Sequence, residues 1–194
     1  MQLHKRDVVA KAAAILDGYG IADLTMRRLA RELEVTAGAL YWHFANKQEL
    51  LGAVADHVLA PACTTPARMG WRDRIETVCR DLRDALLSHT DGAELVSASF
   101  AAGQSRAIEQ ILGVLAEAAG EAGIATAHRV QAARTVLHYV LGATADEQSR
   151  LQWDAAGAEL PDGQSVLDAD LGSQFDFGVR LLVDGIAAQQ RMPV

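Results

Sequence analysis

Residues Thr25 to Lys47 read TMRRLARELEVTAGALYWHFANK, and this stretch decides the fold. Thr25 suits a helix N-cap, because its hydroxyl can accept from an orphan backbone N–H two or three residues on. Met26, Leu29, Ala30 and Leu33 then fall at i, i+3, i+4 and i+7, an apolar stripe on one helical face, with Arg27, Arg28 and Arg31 on the others. Glu34-Val35-Thr36 breaks the pattern, and Thr36 can cap a second helix. Leu40 and Phe44, four apart, anchor that helix and leave Ala37, Gly38, Tyr41 and His43 facing away. Asn46 with Glu49 three residues later has the logic of a capping box, so a further helix starts there and runs through Leu50, Leu51, Val54, Val58 and Leu59. Two short helices joined by a tight turn form a helix-turn-helix over about residues 25–44.

In such a unit the first helix crosses the phosphate backbone and the second enters the major groove. The residues expected at DNA are therefore Thr25, Arg27, Arg28, Thr36, Ala37, Gly38, Ala39, Tyr41, His43 and Lys47. Arg27 and Arg28 suit phosphates, and Lys47 combines a cation with the free N–H groups of a helix start. Ala37-Gly38-Ala39 offers no side-chain donor. Its small side chains suit a helix that sits deep and touches thymine methyls. The competing reading is an ordinary amphipathic helix pair with a solvated arginine face. The run Tyr41-Trp42-His43-Phe44 counts against it, since such a helix is apolar all round.

The motifs Leu24-Thr25-Met26-Arg27-Arg28-Leu29-Ala30 and Leu40-Tyr41-Trp42-His43-Phe44-Ala45-Asn46-Lys47, after the turn Gly18-Tyr19-Gly20-Ile21, resemble the DNA-binding domain of the tetracycline repressor (TetR) family. The later segments Trp71-Arg72-Asp73, Ser88-His89-Thr90-Asp91-Gly92-Ala93, His138-Tyr139, Glu147-Gln148 and Phe177-Gly178 are similar to that family's tetracycline-repressor branch. The resemblance implies an N-terminal reader over 1–50 and a ligand-binding and dimerisation domain over 51–194. It also implies a homodimer on a palindromic double-stranded operator. The dimer seam would be a four-helix bundle of the 125–151 and 173–191 helices, with Gly142, Gly178 and Gly185 allowing close approach.

Charge fits this division. The net charge is −7, but residues 1–50 carry seven Lys and Arg against six Asp and Glu, so the acidity lies in the body. Cys63 and Cys79 make no metal-binding spacing, and buried thiols are the simpler expectation. No metal and no cofactor is expected. The six histidines form no H-E-x-x-H and no Gly-rich phosphate loop occurs, so an enzyme is disfavoured. The chain starts with an amphipathic helix from about Lys5, and no apolar run approaches the roughly 20 residues of a membrane span. No membrane partner and a cytoplasmic location are therefore expected.

The pattern along the rest of the chain is all-α. The first helix covers about Lys5–Gly18, with Val8, Val9, Ala12, Ile15, Leu16 and Tyr19 as its apolar face. Pro61, Thr64, Thr65 and Pro66 mark a break, and further helices span about 71–87, 93–103, 105–119, 125–151 and 173–191. Residues 152–170, rich in Ala, Asp, Gly and Pro, read as an acidic loop.

In the family, a magnesium-bound drug is held by positions that match Cys63, Val96 and Asp146, with neighbouring contacts at Val78 and Leu82. Val96 cannot ligate a hard cation, so magnesium–tetracycline is rejected. The expected effector is instead a lipophilic or aromatic small molecule in a pocket lined by Cys63, Val78, Leu82, Val96, Ser99, Phe100, Val130, Arg134 and His138, with Asp146 nearby. Arg134 and His138 read equally well as ordinary bundle residues. A regulator with no ligand, whose apolar interior is simply core, and an activator both remain alternatives.

Overall fold

The computed structural model describes residues 3–64, 69–157 and 171–189. Its helices are α1 (Lys5–Tyr19), α2 (Met26–Glu32), α3 (Ala37–Tyr41), α4 (Lys47–Leu59), α5 (Trp71–Leu87), α6 (Gly92–Ala101), α7 (Arg106–Glu121), α8 (Arg129–Ala155) and α9 (Leu171–Gln189). Short 3-10 turns cover Ile21–Asp23, Ala60–Cys63 and Thr126–His128. No strand occurs among the described residues, in keeping with the all-α expectation.

Side-chain caps set the starts of α2, α3 and α4. Arg28 N–H donates to Thr25 Oγ1 at 3.1 Å, Ala39 N–H to Thr36 Oγ1 at 3.3 Å, and Glu49 N–H to Asn46 Oδ1 at 2.8 Å. Each satisfies a donor that a helix start leaves open. The capping box departs from expectation by one residue: Glu49 accepts from Ala45 N–H at 2.8 Å rather than from Asn46. That bond, and then Lys5 Nζ at 3.1 Å, hold the Glu49 carboxyl below the usual carboxylate range. Between α2 and α3 the chain turns through Glu34 in the left-handed region, at φ 55°.

The apolar stripes meet in one core. Val8, Ala12, Ile15 and Leu16 of α1, Met26, Leu29 and Ala30 of α2, and Leu40 and Phe44 are all buried. Tyr19 does not belong to the stripe as expected. It is 59% exposed, and the Arg28 guanidinium lies over its ring at 3.6 Å; Ala13 is buried instead. In the body, α5 buries Ile75, Val78, Cys79, Leu82 and Leu86, and packs against α7, α8 and α9.

Helix α4 belongs to both parts, contacting α1 on one side and α6 and α7 on the other. Its Asp56 carboxylate caps α7, accepting from Ser105 Oγ at 2.7 Å and Ala107 N–H at 3.0 Å. Its Gly52 lies so close to the Gln104 backbone that a Cβ there would overlap the carbonyl. The α5–α6 turn makes a second joint with the reader: Thr90 Oγ1 donates to the Asp17 carbonyl at 2.9 Å, and His89 Nδ1 lies 2.9 Å from the Asp17 carboxylate.

Some boundaries moved. Residues 152–155, expected in the acidic loop, form the last turn of α8, because Gln152 reaches back to Asp91. The rest of that loop from 158 to 170 lies outside the described residues, as do Thr65, Pro66 and positions 190 and 191 of the last expected helix.

Candidate nucleic-acid interface

Helix α3 is anchored by Leu40, which is fully buried, and by Phe44 just beyond it. Trp42, the C-cap, keeps helical dihedrals at φ −70° and ψ −26°. At 3.6 residues per turn, positions two before and two after Leu40 lie roughly 200° around the helix. Gly38 and Trp42 therefore form the ridge opposite the anchor. Gly38 is exposed and Trp42 is 91% exposed. Tyr41 beside it is 52% exposed, while Ala37, Ala39 and His43 are half-buried on the flanks. Trp42 was not among the residues expected at DNA, although the i, i+4 spacing from Gly38 would have found it.

The cations around α3 differ in availability. Arg27 is exposed and Lys47 half-buried in the first turn of α4, and neither forms an ion pair among the described residues. Arg28, expected at phosphates with Arg27, is held within the chain. Its Nη1 donates to Asp23 Oδ1 at 2.7 Å while its plane covers Tyr19, and its side chain is only 17% exposed. It braces the α1–α2 corner instead. Thr25 and Thr36 are exposed and spend acceptor capacity on their caps, which leaves each hydroxyl proton to donate elsewhere.

The ten residues expected around a ligand do not enclose one pocket. Val78, Leu82, Val96 and Ser99 are buried in packed core. The cavity next to Cys63 and Val78 measures about 20 Å³, room for about one water. Val130 and Asp146 face solvent, and Asp146 pairs with Arg150 at 3.4 Å. Phe100, Arg134 and His138 do come together, with Arg134 5.2 Å and the His138 ring 5.7 Å from the Phe100 ring. Of the expected close-approach glycines, Gly178 meets Tyr139 within the chain, whereas Gly142 and Gly185 have open space around them. A groove of about 610 Å³ runs between α8 and α9 past Gly185 and Leu181, and none of the ten expected residues lines it.

A short, capped helix pair that presents one exposed ridge beside free cations defines a helix-turn-helix DNA reader. The comparisons agree. The description of bacterial regulatory proteins of the tetR family matches residues 8–54, and that of the tetracyclin repressor-like C-terminal domain matches residues 65–168. Tetracycline repressor protein class E of Escherichia coli is 31% identical over 94% of this chain and 90% of its own length. The crystal structure of Mycobacterium smegmatis BioQ is 65% identical, covers 96% of this chain and 99% of that one, and superposes with a TM-score of 0.89. BioQ bound to its natural double-stranded DNA operator is 62% identical over 96% of this chain and 99% of that one, with a TM-score of 0.85. This chain belongs to the TetR family of bacterial regulators and is a DNA-binding transcriptional regulator, not an enzyme. No helix among the described residues is long and apolar enough to cross a membrane.

Proposed function

We propose that this protein is a repressor that occupies a palindromic operator as a homodimer. The observation that carries this reading is the outward ridge of α3, flanked by Arg27 and Lys47. The operator complex of a 62% identical protein supports it. Arg27, Lys47 and the hydroxyls of Thr25, Thr36 and Tyr41 contact phosphates, His43 lies at the groove edge, and Ala37, Gly38 and Ala39 approach the bases. Arg28 acts from behind, by holding the α1–α2 corner.

The dimer seam is the outer face of α8 and α9. Phe177 and Leu181 there are 57% and 59% exposed in the single chain, and Gly142 and Gly185 leave room for a second backbone. Sedimentation of the wild type against Leu181→Glu, with a gel shift on a duplex selected from a random pool, tests both parts. A monomeric wild type, or no selected duplex, would sink the reading.

Release by a small molecule is the finer part of the proposal. Ser99 on α6 and Thr144 on α8 are buried with no hydrogen-bond partner for their hydroxyls among the described residues. A lipophilic or aromatic ligand carrying one polar group, entering beside Phe100, Arg134 and His138, would satisfy the hydroxyl of Ser99, the neighbour of Phe100 in α6. Displacement of α6 would then press on α4 through Gly52 and Gln104, change the spacing of the two readers, and lower operator affinity. Magnesium–tetracycline is not that ligand, since Val96 is fully buried and Asp146 is paired on the surface. The tight packing around Val78 and Leu82 favours a second reading, a regulator without a ligand. Thermal shift against a lipophilic compound library separates the two.

A further inference from the structure

With the Tyr41 hydroxyl assigned to phosphate, each remaining side chain that α3 can offer to a base has a narrow chemistry. Ala37 and Ala39 carry methyl groups, and Gly38 carries nothing; a Cβ added there would meet only Thr36 Oγ1, at 3.8 Å. One turn later on the same ridge stands the indole of Trp42, 91% exposed. Indole has a single N–H donor and no acceptor, so it cannot form the paired hydrogen bonds by which Arg reads guanine or Asn reads adenine. A bare ridge lets the helix axis come close to the groove floor at Gly38, and the indole then reaches the floor first at the other end of the helix. The major groove displays one apolar group, the thymine C5 methyl.

We infer that Trp42 is a specificity-determining residue of the reader, and that it selects thymine by packing its indole face on the C5 methyl group. Ala37 and Ala39 add methyl contacts on either flank. The exposure of a large aromatic follows from this role. Nothing among the described residues covers Trp42, although Phe44, two residues on, is buried. The inference rests on the reading of the protein as an operator binder, and names which chemical feature of the operator it reads.

The test uses the full-length protein and a duplex selected from a random pool, resynthesised with deoxyuridine replacing thymidine at one position at a time. Uracil differs from thymine only by the C5 methyl, so base pairing is kept. Losing a buried methyl weakens binding about fourfold per contacted position, and losses in the two half-sites multiply. With Trp42→Ala, whose side chain contributes nothing to the core, the uracil penalty at one position in each half-site should fall to within about twofold. Equal affinity for thymidine and deoxyuridine duplexes at every position would overturn the inference, while leaving operator binding intact. So would a penalty that survives unchanged in Trp42→Ala. Failure to select any duplex would instead remove the operator reading, and this inference with it.

Discussion

The carboxylate of Asp91 accepts the backbone N–H of Ile21 at 2.9 Å through one oxygen, and Gln152 Nε2 donates to its other oxygen at 2.6 Å. One side chain in the α5–α6 turn thus ties the α1–α2 corner of the reader to the end of α8. Asp91 sits in the left-handed region at φ 53°, which Asp tolerates better than most residues. Gly20 opposite has no room for a side chain, because a Cβ there would lie 2.7 Å from Asp91 Oδ2. Asp91→Ala should leave the Ile21 N–H without its partner and cost about 1–3 kcal/mol. Asp91→Asn keeps one acceptor and should cost less. Denaturant unfolding ranks the three proteins, and equal midpoints would show that the joint contributes no stability.

Arg27 and Arg28 are adjacent and have opposite expected phenotypes. Arg27→Ala should leave the unfolding midpoint unchanged, weaken DNA binding, and flatten the slope of log affinity against log salt by about 1. Arg28→Ala removes the Asp23 pair and the stacking on Tyr19. Each is worth about 0.5–1 kcal/mol at a partly solvated site. Its stability should drop, with little change in the salt slope. A salt slope lowered equally by both substitutions would contradict the bracing role of Arg28.

At Gly52 two effects oppose one another. Alanine in mid-helix favours α4 by about 1 kcal/mol. Its Cβ would overlap the Gln104 carbonyl, which is backbone and cannot rotate away. Overpacking of this kind costs about 1–3 kcal/mol, so Gly52→Ala should destabilise the protein on balance. It should also shift α4 away from the α6–α7 turn and change operator affinity, measured by gel shift. A more stable Gly52→Ala protein with unaltered affinity would show that this contact does not position α4.

The expected helices fell close to the observed ones where a strong amphipathic stripe met a good cap. The stripe from Trp71 to Leu87 coincides with α5, and the hydroxyls of Thr25 and Thr36 fix the starts of α2 and α3. These signals are local, so a sequence carries them. The pocket was not legible. Val78, Leu82 and Val96 are apolar and lie on inward faces, but periodicity cannot tell a cavity wall from a packed core. The bonds of Arg28 to Asp23 and of Asp91 to Ile21 depend on how the chain folds back at α1–α2 and at α5–α6. Charge alone made Arg28 look free. The exposure of Trp42 among its aromatic neighbours follows only from which face Leu40 anchors, which composition does not carry.

Cys79 gives a pH dependence with a definite sign. Burial first, and then the Glu76 carboxylate, push its thiol from the ordinary 9.0 up to about 12. Below pH 9 the thiol is protonated in both folded and unfolded chains, and its contribution to stability is fully present. As pH rises above 9, the unfolded chain releases this proton while the folded one keeps it. The unfolded state then binds fewer protons, so stability falls with pH, by up to about 1.4 kcal/mol per unit. Tyr139, also raised by burial, adds in the same direction, so the comparison has to be made against Cys79→Ala. Urea unfolding from pH 7 to 10 should show the two proteins running parallel to about pH 9, with the wild type losing stability faster beyond it. Native alkylation with iodoacetamide should label the exposed Cys63 and spare Cys79. Curves that stay parallel to pH 10, or prompt labelling of Cys79, would place that thiol in contact with solvent.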